Sequence, residues 1–185
     1  RAFKHEDNDV NLPLTLDYRS QEMENKLRLE RRVYGQAGFK MTWGAQYEFA
    51  QFTNRTESQR YLFLSDTLVT VDFESAFGLH KYGAFVQASQ PFFDGRVTLS
   101  GGLRVDGNEF NARMSNPLRQ VSPRLSARWS VAPRWSLNAN IGRYFQLPSY
   151  LVLGYVEGGL RVNQPGATYL RCDQAVLGVR YDWAE

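Results

Sequence analysis

The chain lacks any apolar run close to the length of a membrane-spanning helix, which needs about 20 residues. It has one cysteine and two histidines among its 185 residues. A single cysteine excludes an internal disulfide framework, and Cys172 lies in a polar segment with no histidine nearby in the sequence. The sequence therefore predicts neither a helical membrane protein nor a disulfide scaffold. It predicts no metal site and no cofactor, and Cys172 is expected to be an unpaired small residue.

An excess of charge of one sign is also missing. The 22 Lys and Arg residues are scattered among 19 Asp and Glu residues, which leaves a formal net charge of +3. This gives no support to nucleic-acid binding. Catalytic patterns are absent as well: there is no HExxH, no phosphate-binding glycine loop, and no Ser or Cys nucleophile motif near His5 or His80. The chain is not predicted to be an enzyme.

What the chain does have is alternation of apolar and polar residues with a period of two. In residues 96–107, Val97, Leu99 and Leu103 share one face, and Arg104 and Asp106 share the other. Helical spacing would scatter both kinds of residue around the axis. The same alternation marks residues 39–49, 123–131, 135–145 and 177–183, and more weakly 25–34 and 81–92. The sequence predicts an all-β fold with about seven strands.

The connections between these strands predict a transmembrane architecture. Short turns at 34–38, 93–96 and 132–134 alternate with long connections at 52–80, 107–121 and 146–173. Asp94-Gly95 is a strong hairpin dipeptide, because both residues tolerate positive φ. Strands near 9–11 residues, with short turns at one rim and long loops at the other, are typical of outer-membrane barrels. The expected fold is an antiparallel up-and-down transmembrane β-barrel segment.

Aromatic residues near the predicted strand ends fit two interfacial girdles. The short-turn rim would carry Phe39, Phe92, Phe93, Trp135 and Trp183, and the opposite rim Phe49, Tyr144, Phe145 and Tyr150. Soluble barrels also place aromatic residues at strand ends, so this feature alone does not decide between the two classes.

Segments along most of the chain resemble the barrel of TonB-dependent outer-membrane receptors, especially those of Bacteroidetes type. The segments that carry this resemblance are residues 11–14, 24–30, 81–87, 96–107, 116–118, 121–126, 142–148 and 176–181. The most specific is residues 121–150, VSPRLSARWSVAPRWSLNANIGRYFQLPSY, which is similar to a strand, periplasmic turn, strand and outside-loop entry of such receptors.

The resemblance implies a 22-stranded barrel in the bacterial outer membrane, plugged by an N-terminal domain and energised through TonB for uptake of a nutrient into the periplasm. Its implied partners are outer-membrane lipid, the receptor's own plug domain and, through the plug, TonB. A substrate-binding lipoprotein is a further possible partner. No plug, TonB box or terminal barrel strand is recognisable. Residues 1–185 are therefore expected to form part of a single barrel domain, about a third of the implied strands.

Two groups of residues are candidates for sites. The lumen-lining candidates lie on the polar faces of the predicted strands: Arg104, Asp106, Arg124, Arg128, Tyr144, Arg180 and Asp182. They either contact a passing substrate or pair with the plug and with one another across neighbouring strands. Arg31 and Arg143 fall on nominally apolar faces, where the side chains could extend into the headgroup zone near a rim.

The second group lies in the long connection 146–173, where aromatic side chains suit sugars or flat ligands. These outside-loop candidates are Tyr150, Tyr155, Glu157, Arg161 and Tyr169. Long loops on rigid scaffolds often carry recognition, although a merely solvated loop has the same composition.

A second function class remains open: a small soluble ligand-binding barrel of lipocalin type. Such a barrel would bury Leu99, Leu103, Leu137 and Ile141 in its interior, and it would expose Arg104 and Arg128 to water. A membrane barrel would do the reverse.

Overall fold

The computed structural model describes residues 2–4, 16–62 and 66–183. Within these ranges the strands are β1 (Ala2–Lys4), β2 (Leu16–Tyr34), β3 (Lys40–Leu62), β4 (Thr67–Phe92), β5 (Val97–Asn108), β6 (Val121–Ala132), β7 (Trp135–Gln146), β8 (Val156–Glu157), β9 (Leu160–Arg161) and β10 (Leu170–Tyr181). Short helical segments cover Gln36–Gly38, Pro117–Gln120 and α1 (Tyr150–Leu153). His5 and the segment 11–14 lie outside the described residues.

One sheet contains the short β1 and the seven long strands, in the order β1-β2-β3-β4-β5-β6-β7-β10. Strands β8 and β9 pair separately. Each neighbouring pair from β4 to β10 is antiparallel. The prediction of an all-β, up-and-down fold with seven long strands is confirmed for the described residues. Within those residues, no helix has the length and apolar character needed to span a membrane.

The chain divides into two compact units, and β2, β3 and β4 contribute residues to both. Unit 1 comprises Arg1–Asn25, Phe49–His80 and Pro148–Ala167. Its buried residues include Phe52, Leu79 and Leu153, which are almost fully buried, and the polar Asn54 and Ser75. Unit 2 comprises Lys26–Glu48, Lys81–Leu147 and Thr168–Glu185.

The register of unit 2 keeps the apolar side chains of neighbouring strands on one face. Leu125 on β6 lies opposite Ile141 on β7, and Leu177 on β10 lies opposite Ala139 on β7. These large side chains are open to their surroundings: Leu125 is 63% exposed, Ile141 60% and Leu177 87%. We call this surface the apolar face and the opposite one the polar face. A continuous exposed apolar face is what a lipid-facing sheet requires.

The predicted hairpin turn at residues 93–96 is confirmed by its backbone. Phe93, Asp94 and Gly95 have φ of 53°, 53° and 84°. The amide of Arg96 donates to the carbonyl of Phe93 at 3.1 Å and closes the turn between β4 and β5. Positive φ at consecutive residues matches the right-handed twist of the flanking strands, and Asp and Gly adopt it at little cost.

The predicted long connection 52–80 is wrong. Strand β3 continues to Leu62 and β4 begins at Thr67, so only residues 63–66 connect them. The strict alternation of short turns and long loops is therefore wrong as well. Residues 67–73 (TLVTVDF) are rich in β-branched and aromatic types, which favour strands. Residues 51–59 carry polar groups on both faces, so apolar alternation did not mark them as a strand.

Other boundaries also moved. The weakly predicted strands 25–34 and 81–92 begin earlier, at Leu16 and Thr67, and Phe49 lies inside β3 instead of at a rim. The last strand begins at Leu170 instead of residue 177, which shortens the loop after β7 to residues 147–169. Arg171 and Asp173 interrupt the apolar alternation there. Asp173 can occupy the apolar face because it pairs with Arg143 directly across the ladder.

Candidate functional site

On the polar face of unit 2, charged side chains form ion pairs where β3, β4 and β5 approach the loop 109–120. Arg104 and Asp106 share one side of β5 and pair at 2.6 Å. The carboxylate of Glu48 on β3 lies between Lys26 of β2, at 3.4 Å, and Lys81 of β4. The two carboxylates are largely shielded from solvent, with the Glu48 and Asp106 side chains only 13% and 16% exposed, whereas the Lys26 side chain is 60% exposed. The pairs of Glu48 link β3 to β2 and β4, whereas the Arg104–Asp106 pair lies within β5.

A different environment surrounds Arg124, near the middle of the same face. Arg124 on β6 lies directly opposite Gly102 on β5 and Gly142 on β7. The two glycines leave space on either side of the arginine. Its guanidinium carbon lies 4.4 Å from the centre of the Tyr144 ring, a cation–π contact. The resulting recess has a volume of about 210 Å³.

The remaining predicted polar-face residues lie toward the short-turn rim. Arg128 is opposite Thr98 on β5 and Asn138 on β7. Arg180 is opposite Ser136, and its Nε donates to Oδ1 of Asp182 at 2.7 Å. The strand residues among the seven candidates therefore share one face, although they do not converge on a single centre. They form two sets of ion pairs with the Arg124 recess and Arg128 between them.

The predicted ligand residues of the loop are mostly engaged in packing within unit 1. Tyr150 is buried, and its hydroxyl donates to Oε1 of Glu24 at 2.6 Å. Tyr155 contacts the edge of Phe73 with ring centres 5.0 Å apart. Arg161 donates from Nη2 to the carbonyl of Ala76 at 2.8 Å and lies over the Phe77 ring at 5.2 Å. These three residues fasten the loop to the strands.

The other two loop candidates have different surroundings. Glu157 is exposed between β8 and β9. Tyr169 belongs to unit 2, where its hydroxyl accepts a hydrogen bond from Nδ2 of Asn108 at 2.8 Å. Burial raises the pKa of Tyr169 to about 12, so the neutral phenol persists to higher pH than that of an exposed tyrosine. The five candidates are not brought together into one site.

Sequence reasoning missed the uncharged polar residues around Arg124. Gln87, Ser100, Ser126 and Asn140 line its recess. Ser126 lies opposite Ser100 on one side and Asn140 on the other. Their shared face was visible from alternation, but their juxtaposition depends on strand register, which single-strand patterns do not specify.

Cys172 is free and exposed on the polar face, opposite Tyr144. No group of three or more His, Cys, Asp and Glu side chains in the described ranges is arranged to hold a metal ion.

Comparison with known proteins identifies the architecture. The family model described as "TonB dependent receptor-like, beta-barrel" matches residues 2–171. The chain belongs to this family. The TonB-dependent receptor chain is accordingly assigned to the outer membrane, as its sequence predicted. No curated protein sequence matches it.

A solved structure titled "Copper transporter OprC" has the same fold as this receptor chain, with a TM-score of 0.63 at 20% sequence identity. The match covers 90% of this chain and 28% of that one. At this identity the likeness shows the fold alone. The receptor chain thus spans little more than a quarter of the length of the protein it resembles.

Proposed function

We propose that this chain forms part of the barrel wall of a receptor that takes up a nutrient across the outer membrane, with energy supplied through TonB. The family match over residues 2–171 carries the proposal. In this function the plug domain fills the barrel and responds to TonB, and outer-membrane lipid surrounds it. A substrate-binding lipoprotein on the outer surface is a compatible partner.

The exposure of the apolar face supports a lipid-facing orientation. A lipocalin-like barrel would bury Leu99, Leu103, Leu137 and Ile141, yet each of them is at least 40% exposed. Burying such side chains is worth about 1.5–3 kcal/mol each, so a soluble protein would not leave a continuous set in water. Acyl chains are the surroundings in which the apolar face is stable, and the soluble-barrel alternative loses its main support.

With the apolar face toward lipid, the polar face lines the lumen. Charged residues near the middle of a lipid-facing surface cost about 2–4 kcal/mol each, which supports a position of Arg124 and Arg128 on the lumen side. The Lys81–Glu48 ion pair then joins two strands of the wall, and the Arg104–Asp106 pair neutralises two charges within β5. The exposed residues around Arg124 are then open to a passing solute.

The proposal is tested with the complete gene product. Membrane fractionation should place it in the outer membrane, and uptake of candidate nutrients by cells that produce it should stop when TonB is deleted. A variant that lacks the plug segment contacting TonB is the matched control, because it keeps the barrel and should lose energised uptake. A soluble enzyme domain encoded upstream, or uptake that is indifferent to TonB, would refute the transport function.

A further inference from the structure

We infer that the recess around Arg124 is a binding site for an anionic group, a carboxylate or phosphate, of the solute that passes through the lumen. This inference rests on the proposed transport function and names the chemical class of its cargo. The polar side chains that line the recess are Gln87, Ser100, Arg124, Ser126, Asn140 and Tyr144 on β4, β5, β6 and β7, and Gly101, Gly102, Leu125 and Ile141 complete the lining.

The charge balance of the two central strands is the first argument. Strands β6 and β7 contain Arg124, Arg128 and Arg143 and no aspartate or glutamate. Arg143 lies on the apolar face, where Asp173 neutralises it. Arg124 and Arg128 lie on the polar face, where the in-register residues opposite them are Gly102, Gly142, Thr98 and Asn138. The wall therefore presents two positive charges with no carboxylate opposite either.

Several other cations on the polar face are paired with carboxylates. Lys81 and Lys26 share Glu48, Arg104 pairs with Asp106, and Arg180 pairs with Asp182. A wall built only for stability would repeat that arrangement at Arg124. Its absence leaves a guanidinium free to bind an external carboxylate or phosphate, which it matches with two parallel N–H donors.

The surroundings of Arg124 are also suited to an anion. Asn140, Gln87 and Ser126 each carry an N–H or O–H donor, whereas the Ser100 hydroxyl donates to Oγ of Ser89 at 3.0 Å, and none of the four carries a negative charge. Contact with the Tyr144 ring at 4.4 Å restricts the arginine before any ligand binds, which reduces the entropy lost on binding. Gly142 keeps the space open, because a Cβ there would lie 3.1 Å from the Tyr144 ring and 3.2 Å from Cγ of Arg124.

Cys172 provides a reporter for this site. It is exposed and lies opposite Tyr144, whose ring contacts Arg124. In the complete protein, the labelling rates of Cys172 by two methanethiosulfonates, one with a sulfonate and one with a trimethylammonium tail, are measured and normalised to a free thiol. A Cys172→Ser variant identifies signal from other cysteines.

We expect the wild-type protein to favour the anionic reagent. Arg124→Gln should lower the anionic-to-cationic rate ratio by about fivefold, the effect of one unit charge roughly 8 Å away in water on reagents of opposite charge. Arg124→Lys should retain most of the ratio. Arg134→Gln, which removes a positive charge from the turn of the same hairpin, should leave it unchanged.

Phosphate and citrate then serve as competing probes at constant ionic strength set with sodium chloride. They should slow the labelling of Cys172 in a saturable way in the wild-type protein. Neither anion should slow it in Arg124→Gln. Neither should slow it in Gly142→Ala, because the added methyl group keeps the charge of Arg124 but displaces its guanidinium. Absence of protection, a rate ratio like that of a free thiol, or a Cys172 that neither reagent reaches would each overturn the inference. A carboxylate of the plug that already occupies Arg124 would prevent protection by phosphate and citrate, and it would therefore also overturn the inference.

The two proposals fail separately. Uptake that depends on TonB, combined with no anion protection of Cys172, would leave the transport function standing and refute the anionic cargo. Saturable protection without TonB-dependent uptake would refute the transport function instead.

Discussion

Arg143 and Asp173 lie directly opposite each other on β7 and β10, and Nε of the arginine donates to Oδ1 of the aspartate at 2.7 Å. The second donor, Nη2, reaches Oδ2 at 3.2 Å. The pair lies on the same face as Ile141 and Ala175, the neighbouring in-register pair on that side. A bidentate ion pair allows two charges to occupy an otherwise apolar, lipid-facing surface.

We predict that removing one partner destabilises the barrel more than removing both. Asp173→Leu leaves the positive charges of Arg143 and Arg171 on the apolar face without a carboxylate, whereas the double variant Arg143→Leu/Asp173→Leu loses one charge of each sign. Urea unfolding of the complete protein in lipid vesicles should give the lowest midpoint for the single variant. Equal midpoints for the single and double variants would contradict this reading of the pair.

The same pair shows where sequence reasoning stopped. Period-two alternation correctly identified the faces of residues 97–105 and 135–141, because each apolar position there contains an apolar residue. It failed at 170–176, where Arg171 and Asp173 occupy apolar-face positions. Their compatibility with a strand depends on Arg143, thirty residues earlier in the chain, and a pattern confined to one strand cannot reveal such a partner.

The predicted long connection 52–80 was the second failure. Residues 51–59 of β3 carry polar groups on both faces, and residues 67–73 of β4 were assigned to the connection although their β-branched and aromatic types favour a strand. For the candidate sites, alternation predicted that Arg104, Arg124 and Arg128 share a face. The register and the contacts were needed to show which of these arginines is neutralised. They were also needed to show that Tyr150 and Arg161 have a packing role.

The four tryptophans supply a test of the lipid-facing orientation. Trp43, Trp129, Trp135 and Trp183 are all exposed, and Trp135 contacts Tyr181, which in turn contacts Trp183. In vesicles containing lipids brominated near the headgroup, Trp135 fluorescence, taken as the difference from a Trp135→Phe variant, should be quenched at least twofold more than with bromines at the chain end. Quenching by aqueous iodide in place of brominated lipid would contradict an interfacial position.

The fastening of the loop in unit 1 leads to a third prediction. Arg161→Ala removes the hydrogen bond to the Ala76 carbonyl and the contact with Phe77. A loss of about 1.5 kcal/mol is typical for a hydrogen bond to a charged group, and it should accelerate amide exchange in residues 151–164 roughly tenfold. Leu160→Ala is the matched control, because Leu160 is the exposed neighbour on β9 and should leave exchange unchanged. Equal exchange in both variants would show that Arg161 does not hold the loop.

The last prediction concerns the pH dependence of Tyr169. Burial raises its pKa to about 12 from an ordinary value of 10, so the folded state favours the neutral phenol. Its contribution to stability is therefore fully present below about pH 10 and is lost as the pH rises through about 12. Absorbance at 295 nm, taken as the difference between the wild-type protein and Tyr169→Phe, should show one ionisation near pH 12 while circular dichroism confirms that the strands are intact. A midpoint near pH 10 would show that the phenol is solvated and that its hydrogen bond with Asn108 does not hold the end of the loop against β5.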